Sequence, residues 1–421
     1  MPDLPDHTAA DRPDLPGLSD LPGLPGAAEP RPTAVLLNPR DLVIAAAQRL
    51  GLCVVVAADP SSPVPVPDGL PCTVLRTPWI EDPADLVRRL RALAPAGAAS
   101  VFGFGEVGAG TAAAVNRELG WPGNPPEALE AFRDKARLRA VVGDRAGVPV
   151  AYAVCSDREQ ARAAVARIGF PCVIKPVAGT GSSGVRLLAA PEEAEAHLAA
   201  LEFTARYVVE EFLEGTEYSV EAVSTPAGHR ILAVTEKATT GAPHFVETGH
   251  VLPVRLDPAD EAAVTAVVTA TLDAAGLRYG PSHTEVMLTA AGPRLIESHG
   301  RPGGDRISDM LGLALGEDVF AQMMTAVFGL PEPAPAARRR VAGIRYVTFD
   351  RGVPVPPHGT GSALVASLPG VAEVEISVPA GELPPAVAAS GDRHGFVVAT
   401  GDTREELEAN LARAVRTLTA A

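Results

Sequence analysis

The stretch Phe170-Pro-Cys-Val-Ile-Lys-Pro-Val-Ala-Gly-Thr-Gly-Ser-Ser-Gly184 carries an ammonium, Lys175, from an apolar run that reads as a buried strand straight into a glycine-rich loop. Such a loop can wrap phosphates with its backbone N–H groups while the lysine supplies a point charge. The use of lysine is itself informative. Of the 36 basic residues, all but Lys135, Lys175 and Lys237 are arginine, and a compact ammonium suits a site with no room for a flat guanidinium fork. Lys237 lies in no comparable motif, and codon usage explains it as well as a site does.

Downstream, Ser282-His-Thr-Glu-Val-Met-Leu288, the turn Thr289-Ala-Ala-Gly-Pro293 and Arg294-Leu-Ile-Glu-Ser-His299 read as a hairpin. Strand alternation puts His283 with Glu285 on one face, and likewise Glu297 with His299. A turn closing symmetrically about Ala291 sets Glu285 opposite Glu297, with Cβ atoms about 4.5–5.5 Å apart. Facing carboxylates need positive charge between them. Hard oxygen donors suit Mg²⁺, which takes one or two carboxylates and fills its octahedron with water and nucleotide phosphates. A solvated hairpin with outward carboxylates is the competing reading. Against it stands Gly300-Arg301-Pro-Gly-Gly-Asp-Arg306, which places an arginine and a glycine pair, suited to an anionic group, directly after the carboxylate strand. Between lysine and hairpin, Tyr207-Val-Val-Glu-Glu-Phe-Leu-Glu-Gly-Thr-Glu-Tyr-Ser-Val-Glu221 alone is only an acidic junction of two strands.

A chain of 421 residues, 47% hydrophobic, exceeds one ordinary core and implies two or three domains. Its net charge of −15 and pI near 5.1 argue against nucleic acid or an anionic membrane as partners, so an anionic ligand must meet local cations. Cys53, Cys72, Cys155 and Cys172 lack metal or redox spacing and read as reduced thiols filling core positions. The acidic N-terminus has no leader pattern and no apolar run reaches about 18 residues, which predicts a cytoplasmic protein that spans no membrane.

Residues 1–32 repeat Leu-Pro and Asp-Leu-Pro units and read as a flexible tail. Ala34–Leu37 as a strand, Leu42–Leu50 as a helix and Cys53–Val56 as a second strand give a βαβ rhythm for a domain at 33–120. Asn124-Pro-Pro126 precedes a helix expected from Glu127 to about Ala146, inside a domain at 121–333. Pro331-Glu-Pro-Ala-Pro335 with Arg338-Arg-Arg340 reads as a solvated linker, and 334–421 alternates strands and turns before a final helix from Thr403.

A lysine, a glycine-rich loop, an acidic strand junction and two metal-type glutamates, in that order, resemble the ATP-grasp superfamily. The likeness implies an α/β and α+β chain with a Rossmann-like domain, an ATP-grasp unit and a C-terminal lid-supporting α+β domain. Phe245-Val-Glu-Thr-Gly-His250, Ile296-Glu-Ser-His-Gly-Arg-Pro-Gly-Gly-Asp305 and Asp392-Arg-His-Gly-Phe-Val-Val-Ala-Thr-Gly401 look most like bacterial L-amino acid ligases. That resemblance implies ATP and Mg²⁺, with two ions and Mn²⁺ able to substitute, and an acyl phosphate passed from a carboxylate to an amine. Lys135, Lys175, Gly179, Gly181, Ser182, Ser183 and Gly184 would then hold phosphates, with Glu210 and Leu213 at adenine and Glu217 at ribose. Glu285 and Glu297 would bind magnesium. His299 stands where the family's pattern has asparagine, as a candidate third ligand. Arg301 would bind the substrate carboxylate and acyl phosphate, with Gly303 and Gly304 approaching closely, and Glu247 and His250 would line the amino acid pocket, His250 accepting a proton. Glu106, in Phe104-Gly-Glu106, would reach a substrate amine, although a surface role is the simpler reading. Partners would be small amino acids or amines, and a homodimer is common in this architecture. Two alternatives stand: an ATP-grasp ligase acting on another kind of amine, and a nucleotide-binding regulator without turnover.

Overall fold

The computed structural model describes residues 30–62, 72–179, 181, 183–242, 245–332, 340–355 and 358–419. The tail at 1–29, the linker at 333–339 and Ser182 lie outside the described residues.

The first strand, β1 (Thr33–Leu37), is buried along its whole length, and the helix after it runs Asp41–Arg49. With β2 (Cys53–Ala58), β3 (Thr73–Arg76) and β4 (Ala99–Phe102) it forms a parallel sheet in the order β3-β2-β1-β4. An unbroken apolar run such as Ala34–Leu37 fits a strand covered on both faces. Ligands in such sheets meet the loops at the carboxyl ends of strands. Here those loops are Asn38–Arg40 and Phe104–Glu106, and both border the main cleft.

Between residues 126 and 142 the single predicted helix is two, Pro126–Arg133 and Lys135–Val142. Asp134 is extended and its carboxylate accepts from the Arg137 N–H, so it caps the second helix. The break leaves the Lys135 N–H free of the first helix, and it donates to Val177 O at 3.1 Å. An uninterrupted helix would have spent that donor internally.

A second sheet is antiparallel, with β5 (Tyr152–Cys155), β6 (Cys172–Pro176), β7 (Arg186–Leu188) and β8 (Tyr207–Glu211) ordered β5-β8-β6-β7. Helices Arg158–Ile168 and Pro191–Ala200 cover it over a core of Cys155, Cys172, Ile174, Leu188 and Val209. Burial pushes both thiols up to about 11, which keeps them inert. Cys53, expected in a core as well, is exposed.

The third sheet holds β9 (Thr216–Thr225), β10 (Gly228–Thr239), β11 (Glu247–Leu252), β12 (Gly280–Thr289), β13 (Gly292–His299), β14 (Val341–Val347), β15 (Val371–Ile376) and β16 (Gly395–Gly401). Its order is β13-β12-β9-β10-β11-β14-β16-β15, antiparallel throughout. The strands beyond residue 334 therefore extend this sheet through the β11–β14 pairing. The final helix, Arg404–Thr419, packs on β14 and β16.

Glu285 does face Glu297, but by another route than a symmetric turn. The loop is the two-residue Ala290-Ala291, with Thr289 paired to Gly292, Leu288 to Pro293 and Val286 to Leu295. That register alone would set Glu285 opposite Ile296. A bulge between Glu285 and Val286 restores the facing pair, adding one residue to β13 where the strand enters the cleft.

Among the described residues no single helix is long and apolar enough to cross a membrane. The apolar pair Ile307–Leu315 and Val319–Phe328 packs instead with Leu36, Val223 and Ile344 in one core. Met310, Ala314 and Met324 in it are fully buried, where truncating a large side chain typically costs about 2–5 kcal/mol. This core fixes the N-terminal sheet to the large one. Across the seam, the Arg40 guanidinium donates to both oxygens of Asp309 at 3.0 and 3.1 Å.

Candidate active site

The three sheets enclose a cleft of about 970 Å³, and the candidate residues named from the sequence border it, save Gly184 and the undescribed Ser182. On the small-sheet side, Lys175 Nζ lies 2.7 Å from Glu210 Oε2. Arg139, from the helix that begins at Lys135, donates to the same carboxylate at 3.0 and 3.3 Å and to Ile296 O at 2.8 Å. Burial works against the Glu210 charge, yet Lys175 and Arg139 outweigh it and bring the carboxyl down to about 2. The Glu210 side chain, expected at adenine, is thus engaged by two cations. Lys135 completes a cationic rim, with Nζ 3.0 Å from Gly179 O and 3.0 Å from Glu297 Oε2. Gly181 and Gly184 of the loop adopt φ of +65° and +73°, a region that side-chain-bearing residues rarely enter.

The large-sheet side is acidic. Lys237 Nζ sits 2.5 Å from Glu285, 2.5 Å from Glu217 and 3.9 Å from Glu247. Its burial disfavours charge, but Glu285, Glu217 and Glu247 hold it well above its usual pKa. For Glu285 burial is likewise opposed by Lys237, and the carboxyl falls to about 2, while burial and the neighbouring Glu285 charge leave Glu217 raised. Glu217, expected at ribose, is paired with this lysine. Behind them His283 Nδ1 lies 2.9 Å from Glu221 Oε1 and its Nε2 3.3 Å from Glu285 Oε1. Burial opposes the imidazolium, but Glu221 and Glu285 push it up to about 10. The sequence reading assigned Lys237 to no role and overlooked Arg139 and Glu221.

Glu106 is half-buried and paired. Arg301 Nε donates to it at 2.7 Å and His299 Nδ1 lies 3.2 Å away, and although burial opposes its charge these neighbours bring the carboxyl down to about 2. His299 Nε2 is 3.0 Å from Glu297 Oε1. With a carboxylate on each side the imidazole is held above its usual pKa against the pull of burial. His299 thus lies between two carboxylates, Glu297 and Glu106, beside the facing pair of glutamates. The facing pair Glu285 and Glu297 remains, two hard carboxylates beside Lys237 and Lys135, a donor set that fits Mg²⁺ when phosphates and water supply the rest. Gly303 is needed sterically, because a Cβ there would come within 2.7 Å of His283 Nδ1, whereas at Gly304 it would meet nothing within 4 Å. His250 Nε2 faces Asp305 Oδ2 at 2.9 Å.

The family model for the ATP-grasp domain matches residues 168–309, which hold the lysine strand, the glycine loop and both facing glutamates. Residues 168–309 are thus an ATP-grasp domain. The model of L-amino acid ligase C-terminal domain 2 matches residues 358–421. An uncharacterized protein of Sinorhizobium fredii, y4rH, is 29% identical over 319 residues, covering 73% of this chain and 65% of its own. Carnosine synthase 1 of Gallus gallus is 30% identical over 263 residues, covering 56% of this chain and 28% of its own. The chain thus spans less than two thirds of either relative. Among solved structures, an L-amino acid ligase of Bacillus licheniformis superposes with a TM-score of 0.75 at 22% identity, covering 92% of this chain and 98% of that one. It has the same fold.

Proposed function

We propose that this chain is an ATP-dependent ligase that converts an amino acid carboxylate to an acyl phosphate and passes the acyl group to an amine, giving a dipeptide or amide with ADP and phosphate. One observation carries the reading: a cation-rich wall of Lys135, Lys175 and Arg139 faces an acidic wall of Glu285 and Glu297 across a single cleft. Polyphosphate suits the first wall and a divalent cation the second. The ligase-type C-terminal match and the relative named as a carnosine synthase support an amino acid substrate.

In this reading Lys135 and Lys175 hold phosphates under the loop 179–184, with Leu213 against the base and Glu285 and Glu297 on the metal. Bound Mg²⁺ would neutralise phosphate charge during transfer. Arg301 receives the substrate carboxylate once Glu106 releases its guanidinium, and Glu247 and His250 face the amino group. Positioning and charge stabilisation, with no protein nucleophile, make up the chain's contribution. The domains at 33–120 and 334–421 flank the grasping unit at 121–333 and supply Glu106 and Ser390 to the cleft.

The test is phosphate release from ATP and Mg²⁺ over a matrix of paired L-amino acids, with hydroxylamine replacing the amine to trap acyl phosphate. Release that depends on one amino acid, with a condensed product by mass, is expected. ATP binding without carboxylate-dependent release from any pair would refute the reading. Arg301→Ala should keep ATP binding and lose ligation.

A further inference from the structure

We infer that Arg393, from the C-terminal region, is a positioning residue for the amine-attack step, acting through Asp305 to present His250 Nδ1 as the proton acceptor. The inference rests on the ligase reading above. Arg393 donates to Asp305 through both nitrogens of its fork, NH1 to Oδ2 at 3.1 Å and NH2 to Oδ1 at 2.7 Å, and lies 3.4 Å over the ring of Tyr346 on β14. That geometry is bidentate and stacked, which lysine cannot copy. Asp305 is held at φ +53°, followed by Arg306 at +62°. Non-glycine residues persist in the left-handed region only where surrounding contacts over-determine them. Arg393 provides that hold for Asp305, and Glu373 and Asp309 provide it for Arg306.

The consequence falls on His250. Asp305 is ionised, because His250 and Arg393 outweigh the burial that opposes its charge and keep its carboxyl far below the usual range. A carboxylate only accepts, so the His250 nitrogen facing it, Nε2, carries the hydrogen. In the neutral ring the lone pair then sits on Nδ1. That atom is buried, has no hydrogen-bond partner among the described residues, and belongs to a side chain bordering the cleft. An orphaned buried acceptor is costly unless something fills it, and an incoming amine does so. As the amine nitrogen bonds to the acyl carbon, the carbon–oxygen bond to phosphate breaks and the amine's proton passes to Nδ1.

The same turn reaches two further parts of the site. Ser390 donates through its hydroxyl to Glu247 and through its N–H to Gly181 O at 3.5 Å. The segment Ser390–Arg393 therefore touches the phosphate loop, one acid of the amino acid pocket and the aspartate behind His250.

The experiment separates the two half-reactions in wild type, Arg393→Ala and Arg393→Lys. Hydroxylamine is unprotonated at neutral pH and needs no base, so hydroxamate formation reports acyl phosphate alone. Hydroxamate rates should stay within about threefold of wild type, while amide formation with an amino acid acceptor falls on the order of 10²-fold in Arg393→Ala, the span of a general base. Arg393→Lys should lie between. Equal losses in both assays, or none in either, would overturn the inference. A second readout needs no turnover: nitrogen-15 spectra of the histidines, assigned with His250→Gln, at a pH where the ring is neutral. Wild type should show His250 protonated on Nε2 and bare on Nδ1; the opposite tautomer would sink the relay even in an active ligase. Absence of carboxylate-dependent ADP release from wild type would refute the ligase reading, and the tautomer would still decide on Arg393.

Discussion

The two walls of the cleft solve opposite electrostatic problems. On the small sheet, one carboxylate, Glu210, lies beneath two cations, Lys175 and Arg139, so the wall keeps a surplus of positive charge. On the large sheet, two cations, Lys237 and His283, lie among Glu217, Glu221, Glu247 and Glu285, so the wall keeps a surplus of negative charge. Lys135 touches both, through Gly179 O and Glu297. Each surplus points to the ligand that would neutralise it, an anion at the first wall and a divalent cation at the second. Neither wall is neutral by itself, and their nearness makes the cleft suited to a metal-bound polyphosphate.

Weakening the acidic wall should have the largest effect. Glu297→Gln leaves the hairpin intact but removes one of two facing carboxylates, and turnover should fall on the order of 10³-fold, measured as ADP release at saturating ATP. Full activity in that variant would remove the metal from the second wall.

Acid comes next. Glu210 and Glu285 have carboxyls at about 2 against 4.5 for an unperturbed glutamate. Because their folded pKa values are depressed, the stability they contribute is present above about pH 4.5 and is lost as pH falls toward about 2. A shift of this size corresponds to on the order of 3 kcal/mol per buried carboxylate. Melting curves between pH 5 and 2 should show that loss, and Glu210→Gln should flatten the limb.

Lys237→Met tests the second wall from the other side. It strands Glu217 without its cation and leaves Glu285 with His283 alone, which should cost roughly 3–5 kcal/mol in thermal or denaturant unfolding. Mg²⁺ should raise the melting temperature of this variant more than that of wild type, since the ion replaces the missing charge. Equal shifts would mean that the metal does not meet this wall.

The smallest expected effect is at the first wall. Lys175→Arg keeps the positive charge but puts a larger fork where an ammonium fits, and nucleotide affinity should weaken about tenfold by calorimetry. Unchanged affinity would return Lys175 to codon usage.

What was legible in the sequence was what lay close together in it. The lysine strand with its glycine loop and the paired glutamates of the hairpin announce themselves within a few residues, as do the βαβ rhythm at 33–58 and the helix that follows Thr403. The break at Asp134 left a signal too, an aspartate opening a helix, but the apolar pattern ran through it. The bulge that sets Glu285 opposite Glu297 left none. Arg139, Glu221 and Arg393 were invisible for another reason. Each acts through a partner 71, 62 or 88 residues away, and an isolated arginine or glutamate carries no local pattern. Lys237 was visible only by being lysine, and its three glutamates converge from β9, β11 and β12.

The most direct test of the account follows the oxygen atoms of the substrate carboxylate. The protein is incubated with ATP, Mg²⁺ and an amino acid labelled with oxygen-18 in its carboxylate, together with an unlabelled amine acceptor, and the products are weighed by mass spectrometry. If the carboxylate attacks the terminal phosphorus of ATP, one labelled oxygen ends in inorganic phosphate beside unlabelled ADP. Label in AMP, or unlabelled phosphate beside a condensed product, would contradict the acyl-phosphate route and with it the division of the cleft into a phosphate wall and a metal wall.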